Sequence, residues 1–298
     1  MKRVSITILF SFSTIFLSAQ EICSSIVMPD LSDATRKDFH FKLAIAEADY
    51  KNDSTNADAI IWYGRRTAYL GHYEKAIEIF TRGIILHPRD ARMYRHRGHR
   101  YITVRCYDKA IGDFEKAAQL IKGKPDETEP DGLPNAKNIP TSTLQSNIWY
   151  HLGLAYFLKG EYKNAKKAYD KCWKVSDNPD MYVATANWMY ITLRKLNKNT
   201  EAQKLLGTIK PDVELLESGD YLKILLLYKQ KVDFAEPINE IENNSTLSSA
   251  TYGFGLGNYL LLNGKKEEAK KIFEKVLSGN LWSSFGFIAA EAELTRMK

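Results

Sequence analysis

The stretch Ser146–Pro179, SNIWYHLGLAYFLKGEYKNAKKAYDKCWKVSDNP, decides how this chain folds. Trp149, Leu152, Gly153 and Tyr156 recur at steps of three and four, which places them on one face of a helix. Gly160 and Tyr162 mark a turn, and Ala165 and Tyr169 share a face of a second helix. The same residue types recur earlier at a spacing of 34: Gly64 and Gly98, Tyr73 and Tyr107, Ala76 and Ala110, Phe80 and Phe114. A fixed 34-residue period over a helix–turn–helix pattern predicts an all-α solenoid.

Each repeated type has a physical reason. Gly64, Gly98, Gly153 and Gly257 fall where two helices of a unit cross closely. Ala76, Ala110, Ala165, Ala202 and Ala269 face them from the second helix. Phe80, Phe114, Tyr169, Leu206 and Phe273 follow one turn later on the same face and can pack into the next unit. One helix pair cannot bury its apolar face alone, so neighbours must stack. About six units are expected, with a helical cap at each end. An N-terminal segment with a capping helix spans residues 21–56. Units one and two span 57–124, a non-helical insertion 125–145, and units three and four 146–211. In unit four Tyr190 stands where glycine is expected, which predicts a looser crossing. A degenerate fifth unit, 212–249, has apolar faces at Tyr221–Leu227 and Phe234, with Pro237 shortening its second helix. The sixth unit and a C-terminal capping helix fill 250–298.

The order of Trp, Leu-Gly, Tyr, Ala and an aromatic resembles the tetratricopeptide repeat (TPR), over about 57–280 and most strongly in units one to three. Some bacterial TPR proteins of unassigned role look similar also around Gly64–Arg66 and Glu129–Leu144. The resemblance implies a right-handed superhelix whose first helices line a concave face, and a binding rather than a catalytic role.

The first twenty residues stand apart. Lys2 and Arg3 precede an apolar run from Ile6 to Leu17, then Ser18-Ala19. That order predicts a cleaved secretory signal peptide and export to the periplasm or cell surface. The run is too short for a span of about 20 residues, which weighs against a membrane anchor. Residues before Cys23 do not resemble a lipid-attachment site. Removing the leader takes two of 42 basic residues and none of 36 acidic ones, leaving a net charge of +4. So mild an excess, together with export, argues against nucleic acid as the partner. The three cysteines, Cys23, Cys106 and Cys172, have no zinc-type spacing. Cys172 reads as a packed thiol, and a Cys106–Cys172 disulfide stays open.

No Walker loop, HExxH, GxSxG or dinucleotide fingerprint is present. His96 and His99 lie one turn apart, with His151 equivalent to His96, but no acidic residue is interleaved to complete a metal site. No cofactor is expected. The unusual feature is charge: Arg89, Arg92, Arg95, Arg97, Arg100 and Arg105 crowd into seventeen residues. Arg92, Arg95, His96 and His99 share one helix face, Arg65 is equivalent to His99 one unit earlier, and Tyr150, His151 and Trp188 continue the line. Guanidinium forks suit carboxylates and phosphates, so this face is the candidate groove for an acidic or extended peptide. The carboxylate clamp of TPR co-chaperones is not matched: its positions hold Ile61, Arg65, His96, Asn147 and His151. Two other readings compete. The arginines can simply be solvated, or the acidic insertion (Asp126, Glu127, Glu129, Asp131) folds back and pairs with Arg92, Arg95 or neighbours. The expected role is an exported adaptor. The alternative is a small-molecule or glycan binder using Trp62, Tyr150, Trp188 and Trp282.

Overall fold

The computed structural model describes residues 23–230 and 247–298. The expected leader, Phe234 and Pro237 lie outside the described residues. Among those described there are thirteen helices. They are α1 (Asp33–Asn52), α2 (Ala57–Tyr69), α3 (Tyr73–Leu86), α4 (Ala91–Thr103), α5 (Tyr107–Leu120), α6 (Leu144–Lys159) and α7 (Tyr162–Val175). They continue with α8 (Pro179–Lys195), α9 (Asn199–Gly207), α10 (Gly219–Gln230), α11 (Leu247–Leu262), α12 (Lys266–Leu277) and α13 (Phe285–Met297).

Local chemistry sets the helix starts. Asn56, Asp90, Asn178 and Ser284 each accept a first-turn backbone N–H through the side chain. Thr143 and Ser146 cap one another's backbone at α6. Turns inside the units need a left-handed residue, met by Gly71, Gly160 and Gly264 at φ 82–87°. In unit two that place is held by Arg105 at φ 62°, a strained choice for a side-chain-bearing residue.

The hairpins α2/α3, α4/α5, α6/α7, α8/α9 and α11/α12 stack through one continuous core. Its recurring contact is a ring on a glycine. A Cβ on Gly64 would stand 2.6 Å from the Phe80 ring, on Gly98 3.0 Å from Phe114, on Gly153 2.5 Å from Tyr169, and on Gly257 2.5 Å from Phe273. The same rings reach the next unit: Phe80 stacks on His96 at 5.5 Å and Phe114 on His151 at 5.7 Å. Ala76, Ala110, Ala165, Ala202 and Ala269 are fully buried beside them. Trp149 is half-buried, seated against the Tyr94–Ile121–Ile148 cluster rather than deep in the core. Tyr190 is buried and stacks on Tyr228 of α10 at 4.7 Å.

The array closes on itself. The last helix, expected only to cap the C-terminal end, packs on α11 and α12 but also on α6 of unit three. Arg296 donates to the Phe157 and Leu158 carbonyls at the end of α6, at 2.9 and 2.7 Å. Lys195 pairs with the buried Glu293 at 2.8 Å. Arg105 donates to Glu291 at 2.7 Å and to the Trp282 carbonyl at 2.9 Å, with its guanidinium 4.0 Å from the Trp282 ring centroid. The strained turn residue therefore anchors the closing helix. Cys23 bonds to Cys106, not Cys106 to Cys172. Cys172 is buried and free, with its thiol 3.2 Å from the Thr185 hydroxyl. Asn280 donates to Asp30 at 2.9 Å, so the segment before α1 meets the α12–α13 connection.

The ring-on-glycine contact generates a paired prediction. Gly153→Ala forces Tyr169 off its seat and is expected to cost about 1–3 kcal/mol by overpacking. Gly112, an exposed helical glycine with nothing within 4 Å of its Cβ position, gains up to about 1 kcal/mol on conversion to alanine. Urea unfolding of both variants should move the midpoints in opposite directions.

The basic concave site and the acidic loop

Arg65 and Arg66 lie on α2, Arg95, His96, His99 and Arg100 on α4, and Asn147 and His151 on α6. Of these, the structure brings Arg65, Arg66, Arg95, His96 and Asn147 to the loop between α5 and α6. That loop is pinned at its root: Leu144 N–H donates to the Glu127 carbonyl at 2.8 Å, and Glu129 N–H to the Ser142 carbonyl at 3.1 Å. Thr128 and Thr143 form an isolated antiparallel bridge. Asp126, exposed, accepts from the Thr143 hydroxyl and the Gln145 N–H, so it braces the start of α6. Glu127 is exposed.

Glu129 is buried against α4 and α6. One carboxylate oxygen stands 3.0 Å from Arg95 Nε and accepts from Asn147 Nδ2 at 3.1 Å. The other lies 3.5 Å from His96 Nε2. Arg95 donates through Nη1 to His96 Nδ1 at 3.1 Å, which leaves the proton of a neutral imidazole on Nε2, facing Glu129. The next residues are held by their backbone: Arg65 donates to the Pro130 carbonyl and Arg66 to the Gly132 carbonyl, each at 2.8 Å. Both guanidinium groups also lie over Trp62, 4.5 and 4.8 Å from its centroid. At Gly132 a Cβ would fall 1.7 Å from the Tyr69 hydroxyl, so no side chain fits there. Asp131 is half-buried with one carboxylate oxygen unpartnered, and burial pushes its pKa up.

The rest of the basic cluster does not form an open patch. Arg92 forks onto Asp90 and reaches Asp58 at 2.6 Å. Arg97 makes a two-point contact with Asp113, at 2.8 and 2.7 Å. Arg105 is committed to α13. Arg100, absent from the groove residues expected from sequence, is partly buried, and its side chain has no hydrogen bond or ion pair among the described residues. Burial lowers its pKa to about 10, and Arg95 and Arg65 push the same way.

Tyr150, His96, His151 and Trp188, expected to line an open groove, are buried. Trp188 is 1% exposed and donates to the Tyr150 hydroxyl at 2.7 Å. His96 and His151 receive the rings of the preceding unit, as described above. Phe285 of α13 covers His99 and His151 at 5.4 and 5.5 Å. Burial holds all three histidines below their ordinary pKa, His151 at about 3. The aromatic platform fails for the same reason: Trp188, Trp282 and Tyr150 are in the core, and Trp62 is sandwiched by arginines. Among the described residues no group of three or more His, Cys, Asp or Glu could hold a metal. The period itself carried a signal for the buried set: Trp62 and His96 are 34 residues apart and His151 follows in register, at a place that faces the preceding unit.

The hairpin stack with a ring-on-glycine crossing defines a helical-repeat scaffold. The chain carries tetratricopeptide repeats: the family model described as tetratricopeptide repeat matches residues 146–178 and 254–278. No curated protein matches the chain in sequence. Among solved structures it is similar to YrrB, a TPR protein with an unusual peptide-binding site. That match has 13% identity and a TM-score of 0.43, covering 84% of this chain and 97% of YrrB. It is similar also to MamA, at 18% identity and a TM-score of 0.45 over 67% of this chain and 95% of MamA. TPR-like repeats of a putative kinesin light chain from Podosopora anserina match at 13% and 0.44, over 75% and 94%. Among the described residues no helix is long and apolar enough to cross a membrane.

Removing the Glu129 charge leaves Arg95 buried without a counter-ion. Glu129→Gln is expected to destabilise the protein by about 3–5 kcal/mol. Glu127→Gln, on the same loop but exposed, should stay within about 0.5 kcal/mol of the parent. Equal urea midpoints for the two variants would remove the buried ion pair as a stabilising contact.

Proposed function

We propose that this protein is an exported scaffold whose concave arginine site takes an extended acidic segment of a partner protein. The coarse part, protein–protein interaction, follows from the repeats. The finer part rests on one observation: an extended acidic segment already occupies the site. Residues 127–132 are read there as a ligand would be. Glu129 gives its carboxylate to Arg95 and Asn147, and two backbone carbonyls accept from Arg65 and Arg66. A partner segment of the same character exchanges for the loop. Arg100, without a carboxylate beside it, offers a further anion contact that the loop does not use. An open cleft of about 570 Å³ borders the root of the loop, lined by Arg89, Arg92, Lys124 and Leu144 among others. It gives a partner a foothold from which to displace the loop.

A synthetic peptide of residues 126–132 is the direct probe. Full-length protein carrying Glu129→Gln, with the loop loosened, should bind it at roughly micromolar strength. The parent should bind it more weakly because its own loop competes. Adding Arg95→Ala to Glu129→Gln should weaken binding at least about tenfold, a difference of about 1.4 kcal/mol. Binding that ignores Arg95, or none to any variant, would exclude this site.

Export is part of the same proposal. The Cys23–Cys106 disulfide supports it, because such bonds persist in oxidising compartments. The bond closes a loop of 83 residues, worth about 4.5 kcal/mol in a chain-entropy account. Intact-mass analysis of protein from the envelope fraction should show the chain beginning at Gln20 or Glu21 and lacking two thiol hydrogens. An uncleaved, fully reduced chain would refute export.

A further inference from the structure

The N-terminal end of the array carries a face that the fold leaves uncovered. Helix α1 lies on α2 through Phe39, Leu43, Ala46 and Tyr50, with Phe39 5.9 Å from the Tyr69 ring and Tyr50 stacked on Tyr63 at 5.0 Å. The opposite side carries Lys37, Phe41, Ile45 and Asp49, each four residues from the last. Phe41 is 67% and Ile45 49% exposed. Ala34, Ala44 and Ala48 beside them are exposed too, and their small side chains let another helix come close. Among the described residues, the segment before α1 does not cover this side: it runs along the α2–α3 turn, where Pro29 fills the space beside Gly71. Terminal elements of repeat arrays ordinarily present a polar outer face. This one is apolar at its centre.

We propose that this face is the contact of a homodimer, formed by α1 against α1 of a second copy in antiparallel order about a two-fold axis. A two-fold contact must be complementary to itself. The stripe meets that condition. Reversed on its own copy about the midpoint between Phe41 and Ile45, it sets Lys37 against Asp49 and Phe41 against Ile45, each pair twice. Charge supports the pairing independently. Lys37 and Asp49 have no side-chain hydrogen bond or ion pair among the described residues. The neighbouring charges are already neutralised within the helix, Lys42 by Asp38 at 2.7 Å and Lys51 by Glu47 at 2.9 Å. Four charged residues of α1 have no ion pair among the described residues, Asp33, Arg36, Lys37 and Asp49; Arg36 donates to the Leu31 carbonyl, and Lys37 and Asp49 are the two that flank the apolar stripe, with opposite signs. Residues at four-residue steps form the helix ridge that interdigitates in the commonest class of helix packing. A foreign partner would not require this palindromic order.

The two apolar residues supply the attraction, and the charges set direction and register, since exposed ion pairs add little affinity. A single helix pair is at the small end of specific interfaces, so the dimer is a weak one. Sedimentation equilibrium of the purified full-length protein from about 10 to 300 μM should show reversible dimerisation in the micromolar range. Phe41→Asp, at an exposed position, should give a folded monomer by circular dichroism and sedimentation. Lys37→Asp and Asp49→Lys should each weaken the dimer about tenfold, because each sets like charges together twice. The double variant Lys37→Asp/Asp49→Lys restores both pairs and should recover the parent affinity. A monomer at every concentration, a dimer indifferent to Phe41→Asp, or a double variant no better than the singles would each overturn the proposal. The acidic-peptide site is distant in sequence and uses other helices, so peptide binding by the Phe41→Asp protein reports on that site separately.

Discussion

Everything in this structure depends on how close two helices of a unit can come. Four times the second helix sets an aromatic ring where a side chain on the first would have to be, over Gly64, Gly98, Gly153 and Gly257. The distances of 2.5–3.0 Å leave no space for even a methyl group. The close approach buries the small alanines completely and lets the same ring reach the following unit. There Phe80 and Phe114 meet His96 and His151. One contact thus sets both the geometry within a unit and the stacking between units. It also explains why the histidines of α4 and α6 are neutral packing residues: burial among rings comes first and cationic arginines stand close by, and both conditions disfavour the imidazolium.

Two distant segments cover the first helices of units two and three. From the middle of the chain comes the acidic loop, whose Glu129 neutralises Arg95. From the end comes α13, held by Arg105, Lys195 and Arg296. Both are held mainly by charge-assisted hydrogen bonds, which are directional and strong once shielded from water. They differ in permanence. Helix α13 and the connection before it add apolar packing through Trp282, Phe285 and Phe287 and join the main core. The loop has one buried carboxylate, a few backbone contacts and a mostly exposed remainder, with Leu133 and Ile139 open to solvent. Of the two elements the loop buries less apolar surface, so its place depends chiefly on the Glu129 carboxylate and the backbone contacts of its neighbours.

The arginine-rich helix shows where reading from sequence reaches its limit. Six arginines in seventeen residues look like one cationic patch, but they serve different tasks. Arg92 and Arg97 fork onto carboxylates of their own or neighbouring units. Arg105 ties down the last helix, Arg95 meets the loop, and Arg100 is left over. Sequence periodicity gives the side of the helix on which each residue sits, but not which carboxylate comes to meet it. Glu291 lies 186 residues from Arg105. Cysteine pairing was hidden for the same reason. Cys23 reaches Cys106 only because the segment before α1 runs back past the α2–α3 turn.

The sequence by itself determined the helices, the 34-residue period, the glycine–aromatic crossings and the presence of an acidic insertion. All of these are local or repeat at a fixed step, and helix geometry converts such steps directly into faces. Tertiary structure alone decided that the array closes, that Tyr150, Trp188 and the concave histidines are buried, and that Glu129 rather than Asp126 or Glu127 enters the arginine site. Those outcomes hang on where distant segments come to rest once the core has formed. The energies that choose among them are desolvation and ion pairing, which depend on three-dimensional distance and are not periodic in the chain.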